Sequence, residues 1–169
     1  MSGLTTDVLL KRVGGLRANS LAAVVMLLIQ YGLGMAVNLY SSLPTSDRGK
    51  SLFPAFGAAV GNGPVLLTLH ALLGTLLLVT GMAAVIRATR LSAPPLIALS
   101  TIAFASILGA WMSGADFVAR MKNGSSLAMA LATALAILCY AVTLFLLGLP
   151  ARRRAQTDAA ESSPSATAS

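Results

Sequence analysis

The chain contains one histidine, His70, and it falls inside a long apolar stretch where every polar group needs a physical reason to be present. An imidazole in that setting can ligate a haem iron, donate to a ligand head group or relay a proton. Few other polar or amphipathic side chains share such stretches. Gln30 stands near the middle of the first, Asn38 toward its end, Trp111 within the third and Asp116 at the rim of the third. Counted down a helix from Pro64, His70 lies about 9 Å below the boundary of its stretch. Trp111 reaches a similar depth when counted back from Asp116, and Asn38 lies somewhat higher. Asn38, His70, Trp111 and Asp116 therefore form a candidate ligand pocket once the stretches pack as antiparallel helices.

Three chemistries compete for that cluster. His70 is a candidate cofactor-binding residue, an axial ligand of a b-type haem, with Gly74 at i+4 giving the ring room. The second axial ligand would come from the histidine of a second copy, or from Met35 or Met112. Alternatively, the cluster is a polar pocket for a lipid, quinone or isoprenoid head, with His70 as donor or proton relay. The plainest reading has His70 bonding Asn38 or a backbone carbonyl across helices, while Gly74 and Gly81 allow close packing.

Catalysis and transport find less support in the residues. Serines and threonines are plentiful, but no nucleophile–base pair stands out around the single histidine. Cys139 is the only cysteine, which excludes an internal disulfide and a multi-cysteine metal site. Asp116 has Arg120 at i+4, an ordinary helical ion pair. Gly49, Lys50 and Ser51 lack the leading glycine and strand of a phosphate loop, and Asn123, Gly124 and Ser125 form only a formal glycosylation acceptor. A small proton-coupled exporter needs a carboxylate within the membrane. The first stretch offers Gln30 instead, which cannot exchange a proton.

The elements that must position these residues are four apolar runs, at about 20–40, 64–87, 95–116 and 127–149. Each is long enough to cross a hydrocarbon core, which takes roughly 20 residues of helix. Only 10% of the residues are charged, against about 25% in soluble domains. The fold class expected is all-α: a four-helix transmembrane bundle, up-down-up-down, with a short extracytoplasmic interfacial helix. That short helix is predicted over 51–60, where Leu52, Phe53, Phe56 and Val60 share one face, Ser51 can cap and Pro54 fits the first turn. Residues 41–51 read as turn or coil. The chain divides into a basic cytoplasmic leader (1–19), the four-span membrane domain (20–149) and a cytoplasmic tail (150–169). Pro150 is expected to stop the last helix, and the composition after 155 to leave the end of the tail unstructured.

The net charge of +7 reads as orientation rather than nucleic-acid binding. Lys11, Arg12, Arg17, Arg87, Arg90, Arg152, Arg153 and Arg154 fall on one side of the predicted topology. Arg48, Lys50, Arg120 and Lys122 fall on the other, with Asp47 and Asp116. The bias places both termini and the Arg87/Arg90 joint in the cytoplasm, in a multi-pass protein of the cell membrane. The first run exceeds the apolar length of a cleaved signal peptide and reads as a signal-anchor. The expected partners are membrane lipids, a second copy or a larger membrane complex, and no nucleic acid.

Several strings carry a family likeness. Asn38, Leu39 and Tyr40 are followed by a proline; then come Asn62, Gly63 and Pro64, and then His70 with Gly74. Residues 113–117 (Ser-Gly-Ala-Asp-Phe) and 126–130 (Ser-Leu-Ala-Met-Ala) continue it. The pattern resembles a family of small four-span integral membrane proteins of high-GC bacteria to which no activity is assigned. The resemblance implies the topology and lends no catalytic residues. The leading expectation is a non-enzymatic accessory, assembly or lipid-contacting subunit with a polar outer-leaflet pocket around His70. A b-type haem or quinone-binding electron carrier using His70 is the alternative, and a small transporter or pore a further one.

Overall fold

A computed structural model describes residues 2–40, 51–61, 63–120 and 123–162. Five helices make up these residues: α1 (Ser2–Tyr40), α2 (Leu52–Gly61), α3 (Val65–Thr89), α4 (Pro94–Arg120) and α5 (Asn123–Ser162). There is no strand among them. Four carry stretches long and apolar enough to cross a membrane: Asp7–Tyr40, Val65–Thr89, Pro94–Phe117 and Gly124–Gly148. The chain is thus a multi-pass membrane protein built on a four-helix bundle, as the apolar runs predict. The predicted coil at 41–50 and the residues Asp47, Arg48, Lys50 and Lys122 lie outside the described residues, as does the Arg120 side chain of the expected ion pair.

Small and hydroxyl residues fill many of the buried positions, among them Ala23, Ala84, Ala88, Ala103, Ala136, Ser20, Ser100 and Thr143, beside larger ones such as Leu16, Leu77 and Tyr140. Many other large apolar side chains face outward: Leu21, Val25 and Leu28 on α1, Leu72, Leu76 and Val79 on α3, Leu131, Leu138 and Phe145 on α5. In lipid no hydrophobic force drives helices together, so close approach through small residues supplies the packing energy. Several hydroxyls inside the spans are satisfied within their own helices: Thr75, Ser106, Thr133 and Thr143 each donate to the carbonyl four residues back.

The four spans form a ring, with α1 against α3 and α5, and α4 against α3 and α5. At one end α3 turns into α4 through Arg90–Ala93, where Ser92 takes a left-handed φ of 51° and Pro94 opens α4. This end is fastened by donors from one helix to backbone carbonyls of its neighbour. Arg12 donates to the Arg90 carbonyl (3.0 Å), Arg87 to that of Gly15 (3.0 Å) and Asn19 to that of Thr80 (3.1 Å). Gly15 leaves room there: a β-carbon would stand 2.8 Å from the end of the Arg87 side chain, which would have to shift.

At the other end α2 lies against α3 and α4. The predicted apolar face divides. Phe56 turns inward, its ring 5.3 Å from that of Trp111, whereas Phe53 is 78% exposed. Thr68 of α3 holds the C-terminal end of α2 through the Val60 carbonyl.

Two helices run further than the residue pattern suggests. α1 continues unbroken from the basic leader into its span, and α5 passes Pro150 to reach Ser162. The physical reason at α5 is propensity: Ala151, Arg152, Arg153, Arg154, Ala155 and Gln156 are all strong helix formers.

Candidate ligand site

At the α2 end the four spans enclose a cavity of about 150 Å³. Gln30, Gly34 and Asn38 of α1, His70 and Gly74 of α3, Trp111 of α4 and Met129 and Thr133 of α5 line it, with Phe56 of α2. No Lys, Arg, Asp or Glu is among the described lining residues, and most of the wall is apolar. Tyr31, Met35 and Asn38 line it while remaining exposed, so the cavity opens on the side of α1.

Its polar core is a reciprocal notch between α1 and α3. Gln30 and Gly34 are four residues apart on α1; His70 and Gly74 are four apart on α3. Because the helices are antiparallel, each glycine faces the other helix's polar residue. A β-carbon on Gly34 would stand 3.0 Å from the His70 ring, and one on Gly74 would stand 3.1 Å from Gln30 Nε2. The glycines let the two side chains cross the seam and meet. Gln30 Nε2 donates to the His70 backbone carbonyl at 3.0 Å and lies 3.3 Å from His70 Nε2.

These contacts fix hydrogen positions that heavy atoms alone leave open. Only a donor can face the His70 carbonyl, so the amide nitrogen of Gln30 points to it and the amide oxygen points away. With that assignment His70 Nε2 faces a donor across 3.3 Å, an arrangement that suits the tautomer with its ring proton on Nδ1. Three buried atoms remain without a partner: the Gln30 Oε1 acceptor, the His70 Nδ1 donor and the Trp111 Nε1 donor. Trp111 is beside the other two, since its Cδ1 would be 3.7 Å from a β-carbon on Gly74.

Of the four residues expected to form the pocket, the structure brings His70 and Trp111 together and sets Asn38 at the mouth. Asp116 does not line the cavity; its Oδ2 accepts from Ser125 Oγ at 2.7 Å. Five residues of helix rotate Asp116 by roughly 140° from Trp111, so a place in the same half of a span does not mean a shared face. The partner of His70 is Gln30 rather than Asn38. Gln30 is the residue that depth counting misses. The signal that finds it is the repeated pattern of a polar residue followed four positions later by glycine, on two antiparallel spans.

The geometry does not fit a haem held by His70. Nε2 is engaged by Gln30, and Nδ1 lies 3.6 Å from the β-carbon position of Gly34, so both nitrogens face α1. A cavity of this volume holds a group about the size of benzene, far smaller than a tetrapyrrole. Gly74 gives room to Gln30 and Trp111 rather than to a macrocycle. Met35 lines the cavity, but Met112 is half exposed on the outside of α4. Among the described residues no three His, Cys, Asp or Glu side chains gather as a metal site. No protein-family model, curated protein or solved structure matches this chain, so its functional reading rests on this geometry.

Proposed function

We propose that this membrane protein is a binding subunit that takes a lipid-dissolved molecule, head first, into the cavity around His70. One observation carries the reading: a mostly apolar cavity of about 150 Å³, with Gln30, His70 and Trp111 set into its wall, opens beside α1. Apolar walls with a few polar residues among them match the usual make-up of a small-molecule site. The role is read as binding rather than bond-making, because among the described residues the cluster pairs an amide with an imidazole, and the Thr133 hydroxyl in the wall is tied to the Met129 carbonyl. The Lys/Arg bias sets both termini in the cytoplasm of a cell-membrane protein, which puts α2 and the cavity mouth in the outer leaflet.

The test is native mass spectrometry of the protein released from mild detergent, comparing wild type with Ala110→Leu and Ala130→Leu, which fill the cavity. A small-molecule adduct carried by wild type and lost from both filled variants is the expected result. Identical adduct patterns in all three would count against the reading. Reporter fusions after Arg153 and within 41–50 check the orientation, and a fusion at Arg153 that reports from outside reverses it.

A further inference from the structure

We infer that the end closed by the α3–α4 turn binds an anionic phospholipid, whose phosphate is held by Arg12 and Arg87 across the α1–α3 seam. The two arginines are built into the fold from opposite sides. Arg12 of α1 donates to the Arg90 carbonyl at the end of α3, and Arg87 of α3 donates to the Gly15 carbonyl of α1, both at 3.0 Å. Arg12 and Gly15 are three residues apart on one helix, as Arg87 and Arg90 are on the other. Both guanidinium groups therefore belong to the same short length of seam. Arg12 and Arg87 remain exposed despite these bonds, and Arg90, whose carbonyl holds Arg12, adds its own exposed side chain.

Those bonds leave most of each guanidinium unused. The group presents five N–H donors in a fixed fork, and the acceptors it meets here are neutral carbonyls, so neither positive charge is compensated. Among the described residues no ion pair joins Lys11, Arg12, Arg17, Arg87 or Arg90 to a carboxylate. Along residues 7–19 and 80–93 these five cations stand against a single acid, Asp7. A long surface side chain ordinarily loses rotamer freedom on binding, whereas Arg12 and Arg87 are already held by their backbone bonds. A phosphodiester matches such a fork with acceptor oxygens and a negative charge. Depth makes a lipid its source. Arg87 lies in the last turn of a span that ends at Thr89, at the level of the head groups. Further into the spans Leu21 and Val25 of α1 and Met82 and Ile86 of α3 are exposed, and acyl chains can lie along them. In the proposed orientation this is the cytoplasmic leaflet, whose anionic surface draws basic residues. The ligand cavity opens at the other end of the bundle, and neither site depends on the other.

The full-length protein in mild detergent, at about physiological ionic strength, is titrated with dioleoyl phosphatidylglycerol, dioleoyl phosphatidylcholine and inorganic phosphate, and adducts are counted by native mass spectrometry. A saturable phosphatidylglycerol adduct is expected, at least ~10-fold tighter than any with phosphatidylcholine, whose own cation sits beside its phosphate. Arg12→Gln combined with Arg87→Gln should weaken it by more than ~10-fold. Arg90→Gln keeps both cross-seam bonds, which use only the Arg90 backbone, and should weaken it about fivefold, the effect of one basic residue at an anionic surface. Removing two charges from the tail, by Arg153→Gln with Arg154→Gln, should change it by less than about twofold, because distant charges are screened. Phosphatidylcholine binding as tightly as phosphatidylglycerol, or a tail variant as impaired as Arg90→Gln, would overturn the site. Inorganic phosphate binding as tightly as the lipid would overturn the lipid as its ligand. Where the double variant does not fold, the comparison of Arg90→Gln with the tail variant decides alone.

Discussion

The two ends of the bundle use glycine in the same way and arrive at different results. At the end closed by the α3–α4 turn, Gly15 admits Arg87, which then bonds the Gly15 carbonyl, and Gly81 admits Phe104 and Ile107, which fill the space. At the α2 end, Gly34 and Gly74 admit His70 and Gln30, which meet each other beside a cavity that the spans leave unfilled. Unpaired atoms alone do not distinguish the halves. Ser20, Ser100 and Tyr140 in the filled half also carry hydroxyls without partners. None of these three lines the cavity. The lesson is that the halves differ in the space their admitted side chains leave unfilled, not in whether they hold unpaired atoms.

That contrast can be broken most forcefully at Tyr140, which is fully buried in the filled half. Tyr140→Ala should lower unfolding stability in detergent by about 3–5 kcal/mol through the cavity it leaves. Tyr140→Phe should be near neutral, because the hydroxyl has no partner to lose. A Phe variant as damaged as the Ala variant would show that the hydroxyl is bonded after all. Next in size comes overpacking. Ala84 is fully buried, and Ala84→Leu should cost about 1–3 kcal/mol by thermal or denaturant unfolding. Ala110→Leu grows into the cavity and should cost little or nothing. Equal losses at both positions would erase the distinction between a filled and an open half. The smallest effect is expected at Ser92, whose left-handed backbone suits glycine. Ser92→Gly should gain less than about 1 kcal/mol, the relief of strain being partly offset by the greater freedom of an unfolded glycine. A loss there would place the weakness of the closed end in its turn rather than its packing.

The spans and α2 were legible because membrane insertion writes itself locally, as apolar runs bounded by charge and a short amphipathic segment. That His70 and Trp111 fall at a similar depth, in the wall of one cavity, was also legible, because depth along an antiparallel helix can be counted from either end. Rotation about the helix axis was not counted, and that is why Asp116 was grouped with Trp111 despite facing elsewhere. Gln30 was weighed only as a missing carboxylate, since which residue lies opposite His70 depends on the offset between α1 and α3. That offset is set by Gly34 and Gly74 together, and neither glycine alone declares it. The helix past Pro150 reflects the propensity of residues 151–156, which a composition-based expectation of a polar tail undervalues.

The ring order of the spans has a consequence for how the protein is made. The Gln30–His70 contact lies between α1 and α3, so both of its residues have been synthesised once α3 is complete. Trp111, Met129 and Thr133 belong to α4 and α5, which close the ring back onto α1 only at the end. A nascent chain halted after α3 would hold the polar pair without walls around it. The compartment therefore matures last, on a scaffold whose opposite end Arg87 and Asn19 have already tied.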